Sequence, residues 1–376
     1  MLESLSAENA LRVIAFYLPQ FHPTPENDAW WGKGFTEWTN VTKARPLFRG
    51  HYQPHLPADL GFYDLRVAES REAQADLARE YGVTGFCYYH YWFGGKRLLH
   101  RPFDETLTSG RPNFPFCLCW ANENWTRVWD GGESEILMEQ TYSEQDDLAH
   151  IRWLTRAFAD ERYIRVDGKP LFIVYRAHKL PDPKRTTDLW RRECYRLGVG
   201  EIFLCRVETE DNISPPNDAG FDAALEFQPD WWELGGPLGT RERGLKYFRW
   251  NDIRFLLRRK FSIDSFYVQN YSDLVRSMSQ RPIPQYRRFP CITPSWDNSS
   301  RRRRGATVFI ESSPALFQQW ATNTLTKLKD STNTPPILFI NAWNEWAEGN
   351  HLEPDQRYGR SYLEALRDAL RSVDGR

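Results

Sequence analysis

Asn341-Ala-Trp-Asn-Glu345-Trp-Ala-Glu348-Gly-Asn-His351-Leu-Glu353-Pro follows the apolar run Pro336-Ile-Leu-Phe-Ile340, which reads as a buried strand. Two carboxylates, Glu345 and Glu348, therefore stand where a strand ends and the chain turns. On a helical turn, residues i and i+3 share one face, with Cβ atoms about 5–6 Å apart. Carboxyls about 5–5.5 Å apart suit retaining glycoside hydrolysis, one as acid and the other as base or nucleophile. Trp343 and Trp346 border the pair, and apolar walls raise a carboxyl's pKa. The plainer reading is a helix N-terminus, where acidic residues are favoured in any case.

Moving outward, seven more apolar runs precede this one: Val13–Tyr17, Gly85–Tyr89, Phe116–Trp120, Leu171–Tyr175, Glu201–Cys205, Ala223–Phe227 and Pro290–Thr293. Helical patterns separate most of them. Val67 to Tyr81 stops at Gly82, Ser143 caps a helix to Asp160, and Arg185 to Leu197 is closed by Gly198. Ser272 to Ser279 is short, Ser313-Pro314 opens a helix to Asp330, and Ser361 to Leu370 ends the series. Val166-Asp-Gly-Lys carries a hairpin signal into the fourth strand. Alternating strands and helices imply a parallel sheet, and eight units in one chain favour a (β/α)8 barrel with long βα loops, a single domain over residues 1–376. The weakest units lie between strands two and three and around strand six, where residues 228–266 form an insertion rich in Trp and Arg.

The 376 residues carry a formal net charge of −1, which argues against nucleic acid as a partner. Aromatics make up 15% of the chain, with 16 Trp, and flat rings with a polar edge suit sugars. Met1 to Ala10 lacks the basic and apolar segments of a secretory signal, and no apolar run is long enough to span a bilayer. A cytoplasmic location is expected. Five of the six Cys fall in apolar runs, as reduced core thiols do. No His, Cys and carboxylate grouping has metal-ligand spacing, so no metal or other cofactor is expected.

In a barrel, the site lies at the C-terminal ends of the strands, and polar and aromatic residues gather there in this sequence. His22 follows strand one, His90 follows two, Asn122, Glu123 and Trp125 follow three, Trp296 and Asp297 follow seven, and Asn344 flanks the Glu pair. Trp30, Trp31, Trp125 and Trp296 are candidate stacking platforms; His22, His90, Asn122, Glu123, Asp297 and Asn344 are candidate hydroxyl binders. Each has a plainer reading: His90 as a hydrogen-bonded core histidine, Asp297 and Asn298 as a turn. Arg206, Glu208 and Glu226 also end strands. The Arg301–Arg304 run reads as a solvated loop or as recognition of an anionic sugar, a phosphate-linked glycan or a membrane surface.

Five motifs, spread through most of the chain, carry a family likeness: Ala15-Phe-Tyr-Leu-Pro-Gln-Phe-His22, Gly32-Lys-Gly-Phe-Thr-Glu-Trp38, Gly85-Phe-Cys-Tyr-Tyr-His-Tyr-Trp92, Trp120-Ala-Asn-Glu-Asn-Trp125 and Trp343-Asn-Glu-Trp-Ala-Glu-Gly349. With them the sequence resembles glycoside hydrolase family 99, the endo-α-mannosidases and endo-α-mannanases. It is more similar still to the related WbsX-type branch of bacterial O-antigen and polysaccharide clusters, often labelled glycosyltransferases. The resemblance implies a (β/α)8 barrel with Glu345 as base on the sugar 2-hydroxyl, giving a 1,2-anhydro intermediate. Glu348 would protonate the leaving oxygen and then activate water. Trp346-Ala347 stands where family 99 usually has Trp-His.

The sequence thus points to a carbohydrate-active enzyme acting on an α-linked bacterial glycan with retention, on a substrate that is lipid-linked or anionic and with peripheral membrane contact. One rival is a glycosyltransferase using an activated sugar, although the sequence lacks a clear carboxylate pair for a nucleotide's metal at a strand end, and Asp146-Asp147 falls on a predicted helix. The other is a non-catalytic glycan-binding barrel. A different arrangement, Glu123 as acid with Glu345 as nucleophile, is also open.

Overall fold

The computed structural model describes residues 11–127, 132–208, 214–230, 242–243, 266–302, 305–331 and 335–374. Eight parallel strands form its centre: β1 (Arg12–Tyr17), β2 (Gly85–Phe93), β3 (Phe116–Trp120), β4 (Lys169–Val174), β5 (Phe203–Glu208), β6 (Ala223–Glu226), β7 in two pieces (Arg288–Phe289 and Cys291–Ile292) and β8 (Ile337–Ile340). Each pairs with the next in chain order, and β8 returns to β1 with Val13 beside Leu338 and Ala15 beside Ile340. The strands read as continuous apolar runs because both faces are covered, one by the barrel interior and one by helices. All six Cys lie buried and unpaired in this framework.

The ring closes through β7. Arg288 and Phe289 pair with Ala224 and Leu225 of β6, whereas Cys291 and Ile292 pair with Phe339 and Ile340 of β8. Pro290, between the pieces, has no N–H to give, but its carbonyl accepts from Phe339 N at 2.9 Å.

The expected helices sit close to their sequence positions, at Ala68–Glu80, Glu144–Phe158, Pro183–Arg196, Tyr271–Gln280, Pro314–Lys329 and Ser361–Asp374. Ser143 and Ser313 act as the expected N-caps, accepting from Asp146 N and Leu316 N. The fourth-strand helix starts earlier than its periodicity suggests, because Asp182 caps it and Pro183 takes the first position. The weak unit between β2 and β3 does hold a helix, Arg101–Ser109. Between β5 and β6 the described residues show only a 3-10 turn, Pro216–Ala219. Most of the 228–266 insertion, with Arg303 and Arg304, falls outside the described residues. The Asp-Gly hairpin is present, with Asp167 and Gly168 at φ 51° and 72°. No helix among the described residues is long and apolar enough to cross a membrane.

Long loops rise at the C-terminal mouth. The loop after β1 carries two short helices, Pro25–Trp31 and Glu37–Lys43, and the loop after β3 carries the hairpin Trp125–Arg127 with Gly132–Met138. These loops, with those after β7 and β8, build the site.

Candidate active site

β8 ends in a second structure tied back to β1 by Trp343 N, which donates to Phe16 O at 2.8 Å. Asn344 and Glu345 then pair antiparallel with Asn350 and His351. A single 3-10 turn, Trp346–Glu348, joins them, and Gly349 closes it at φ 56°. The carboxylates therefore sit on a tight hairpin rather than at the start of an α-helix. A 3-10 turn still eclipses i and i+3, so the two point the same way. A Cβ on Gly349 would meet Asp297 Cβ at 2.9 Å, besides needing a left-handed backbone. Gly349→Ala should cost about 1–3 kcal/mol, readable by thermal unfolding.

One guanidinium gathers the site. Arg301 Nη2 lies 2.8 Å from Glu345 Oε2 and its Nη1 lies 2.7 Å from Glu348 Oε1. The same side chain holds a third carboxylate, Glu37, with Nε at 3.0 Å and Nη2 at 2.9 Å from Oε2. Glu37 starts the helix Glu37–Lys43 and is fully buried. Arg301 is delivered by a 3-10 turn over Asn298–Ser300, opened by Asp297, whose Oδ1 accepts from Ser299 N at 2.9 Å. The loops after β7 and β8 are stitched together: Asp297 N donates to Glu348 O at 2.6 Å, and Ser300 Oγ donates to Ala347 O.

Burial pushes the Glu345 carboxyl up to about 8; Arg301 pulls it down, while Glu348 and Glu37 push it further up. Burial also raises Glu37, against the pull of Arg301. Burial alone would lower Arg301, but its three carboxylate neighbours override that and hold it charged. Three negative groups share one positive one, so full ionisation would leave the cluster with excess buried negative charge, and a proton retained there relieves it.

Beside Glu345 and Arg301 opens a cleft of about 620 Å³, walled by Trp31, Tyr91 and Trp125. Trp125 meets Tyr91 edge-on at 5.1 Å and Trp30 at 5.7 Å. Trp31 and Trp125 thus line the cleft, and Trp30 stands behind Trp125. Glu123 is half-exposed at the rim, paired with Arg176 at 2.9 Å.

The other sequence candidates are held elsewhere, each for a physical reason. His90 points outward: its Nε2 lies 3.0 Å from His150 Nε2, and its ring stacks on Trp153. Strand side chains alternate, so the cleft receives Tyr91 instead. Asn122 brackets two strand ends, its Nδ2 donating to Arg176 O and its Oδ1 accepting from Arg176 N. Asn344 does the same for Leu18, accepting from its N at 2.7 Å and donating to its O at 3.0 Å. Trp296 is packed in the main core, and His22 is buried, its pKa lowered to about 4 by that burial. Asp297 accepts from His51 Nε2 at 2.7 Å and Gln53 Nε2 at 2.6 Å. Burial would raise Asp297, but His51 and His55 overcome it and hold it at about 2.

Glu208 and Glu226 pair with Arg288 and Arg281. Asp146 and Asp147 do lie on a helix, accepting from Trp92 Nε1 and Thr186 Oγ1. Arg301 corrects the reading of its run as a solvated loop: its side chain is 9% exposed and turned onto the protein's own carboxylates, not toward an external anion. Composition concealed both Arg301 and Glu37, the first inside an Arg run and the second inside an aromatic loop.

Comparison with known proteins agrees with this architecture. The family model described as "Glycosyltransferase WbsX" matches residues 13–366. The uncharacterized protein WxcX of Xanthomonas campestris pv. campestris is 45% identical over 359 residues, in strain B100 and again in strain ATCC 33913, covering 95% of this chain and 49% of theirs. The chain thus spans about half the length of the curated relatives it matches. Among solved structures, the GH99 endo-alpha-mannosidase of Bacteroides thetaiotaomicron aligns with a TM-score of 0.57 at 12% identity, covering 97% of this chain and 98% of that one. A protein described as glycoside hydrolase-like aligns at 0.55 and 15% identity, covering 96% and 93%. At these identities the structures attest the barrel, while the match over nearly the whole sequence places the chain in the WbsX glycosyltransferase family.

Proposed function

We propose that the chain is a carbohydrate-active enzyme that cleaves or transfers an α-linked bacterial glycan with retention, using Glu345 and Glu348. The observation that carries this reading is the pair of carboxylates on one guanidinium, 2.8 and 2.7 Å from its two terminal nitrogens, beside a cleft walled by Trp31 and Trp125. Two carboxyl groups set to act as acid and base beside a bound sugar are what retaining glycoside chemistry requires, and Glu345 lines the cleft. The family description, and the endo-α-mannosidase among proteins with this barrel, support a sugar as substrate. Glu345 takes the base role on the substrate 2-hydroxyl, and Glu348 passes a proton to the leaving oxygen and then takes one from water.

A base must be unprotonated, and burial raises Glu345 to about 8. The rate kcat/KM should therefore climb as pH rises from 6 toward about 8, because it reports the free enzyme's base. A rate that instead falls through that range would make Glu345 the acid and reverse the two roles. The first test is proton NMR of the protein mixed with bacterial O-antigen or exopolysaccharide. New anomeric signals that vanish in Glu345→Gln and Glu348→Gln establish glycoside chemistry at this pair.

The family description favours one second reading, a glycosyltransferase using a nucleotide sugar. The aspartates that would hold a nucleotide's metal ion, Asp146 and Asp147, are occupied on the helix Glu144–Phe158. Calorimetric titration with nucleotide sugars separates the readings: heat of binding and turnover would favour transfer from an activated donor.

A further inference from the structure

A second cavity, of about 700 Å³, lies among the loops after β1, β7 and β8 and shares no lining residue with the cleft. His51, His55, Asp297, His351 and Asp355 all line it. His51 and Asp297 are already accounted for. His51 Nδ1 accepts from Leu47 N at 2.9 Å, which leaves Nε2 as the protonated nitrogen that donates to Asp297.

The other three converge. His351 Nδ1 faces Glu353 O at 2.9 Å, and a carbonyl only accepts, so that nitrogen carries the hydrogen. Its Nε2 therefore presents a lone pair, and it points at His55 Nδ1, 3.0 Å away. Asp355 Oδ2 lies 4.0 Å from the same Nε2, too far for a hydrogen bond but near enough for two ligands to reach one ion. The three donor atoms fall within 4.8 Å of one another, and all three residues are buried. Asp355 Oδ1 is anchored by Arg357 N and Tyr358 N at 2.9 and 2.6 Å, and the Tyr52 hydroxyl also bears on this carboxylate, whose Oδ2 approaches the His351 ring.

The supporting contacts match a metal site as well. A ligating imidazole characteristically gives its other N–H to a carbonyl or carboxylate, as His351 does to Glu353 O. Both rings are fixed by stacking, His351 on Trp346 at 3.7 Å and His55 on Tyr52 at 4.3 Å. A simple imidazole-to-imidazole hydrogen bond would explain the 3.0 Å contact but gives Asp355 no part.

We propose that His55, His351 and Asp355 bind a divalent first-row transition metal, with zinc as the ion their chemistry suits. Two nitrogens and one carboxylate leave a fourth position facing the cavity, the composition of an open zinc site. A bound ion would tie the loop after β1 to the segment after β8 through the ring that packs on Trp346, and so brace the turn bearing Glu348. The site was hidden in the sequence because His55 and His351 stand 296 positions apart.

The test uses the full chain stripped with chelator, then titrated with zinc by calorimetry and with cobalt(II) by visible absorption. The expected result is about one ion per chain, the intense bands of tetrahedral cobalt, and a Tm that rises with saturating zinc. His55→Phe and Asp355→Asn should each weaken zinc binding by about 10–100-fold or more, and Glu345→Gln should leave it unchanged. Should His55→Phe not fold, Asp355→Asn retains the Oδ1 acceptor and answers alone. Wild-type protein without cobalt bands or a zinc-dependent Tm overturns the proposal, as does equal affinity in the variants. Neither outcome depends on glycoside chemistry in the cleft.

Discussion

Glu345→Gln and Glu348→Gln should each lower kcat/KM on the glycan by about 10²–10⁴-fold, the usual weight of a positioned acid or base. The fold should hold in both. Each substitution keeps the side chain's size and leaves Arg301 two of its three carboxylate partners. Far-UV circular dichroism and Tm should thus stay near wild type while turnover collapses. The alternative pairing of Glu123 with Glu345 makes the opposite forecast, a Glu348→Gln variant with most of its activity. The geometry weighs against it, because Glu123 is tied to Arg176 at the rim and does not reach Arg301.

The second large effect falls on stability. Arg301→Met should cost about 3–5 kcal/mol at pH 8, because it strands buried carboxylates without their cation. The loss should shrink as pH falls, and the sign follows from linkage. Removing the cation raises the folded-state pKa values of Glu37 and Glu345 further above their unfolded values of about 4.3, so the folded variant binds more protons than the unfolded chain. Stability is then retained at low pH and lost as pH rises through the folded values, which for Glu345 is about 8 even with Arg301 present. Denaturant unfolding at pH 5 and pH 8 measures the difference. Adding Glu37→Gln to the variant should recover part of the loss; a deficit equal at both pH values, with no recovery, would mean that Arg301 acts by packing alone.

Much of the barrel was legible because its strands are buried on both faces and so appear as unbroken apolar runs. The Ile337–Ile340 run and the Glu pair beyond it were the plainest case. What was hard to read is what a strand end does with its polar residues. His90 and Tyr91 look equally suited to a site, and only the register of β2 against β3, with His90 beside Trp120, decides which one faces inward. Asn122 and Asn344 look like sugar ligands, yet bending backbone at a barrel mouth also needs donors and acceptors, and that demand took them. Arg301 was concealed by its Arg neighbours, since a charge run reads as solvated unless something anionic is known to lie behind it. That anion was Glu37, at a separation of 264 residues.

The clasp at β7 has a consequence for how the protein comes into being. The ring is completed only when one short segment grips β6 with one half and β8 with the other. Arg301 leaves the chain just after that segment, Glu345 and Glu348 just after β8, and Glu37 was laid down soon after β1. Contacts of such long range are the slowest to form, since the intervening chain must be ordered first. Closure of the barrel and assembly of the charged cluster therefore draw on the same distant segments of the chain. A chain halted before β8 would hold Glu37 and Arg301 without the two carboxylates that complete their arrangement, so the charged cluster exists only on a finished fold.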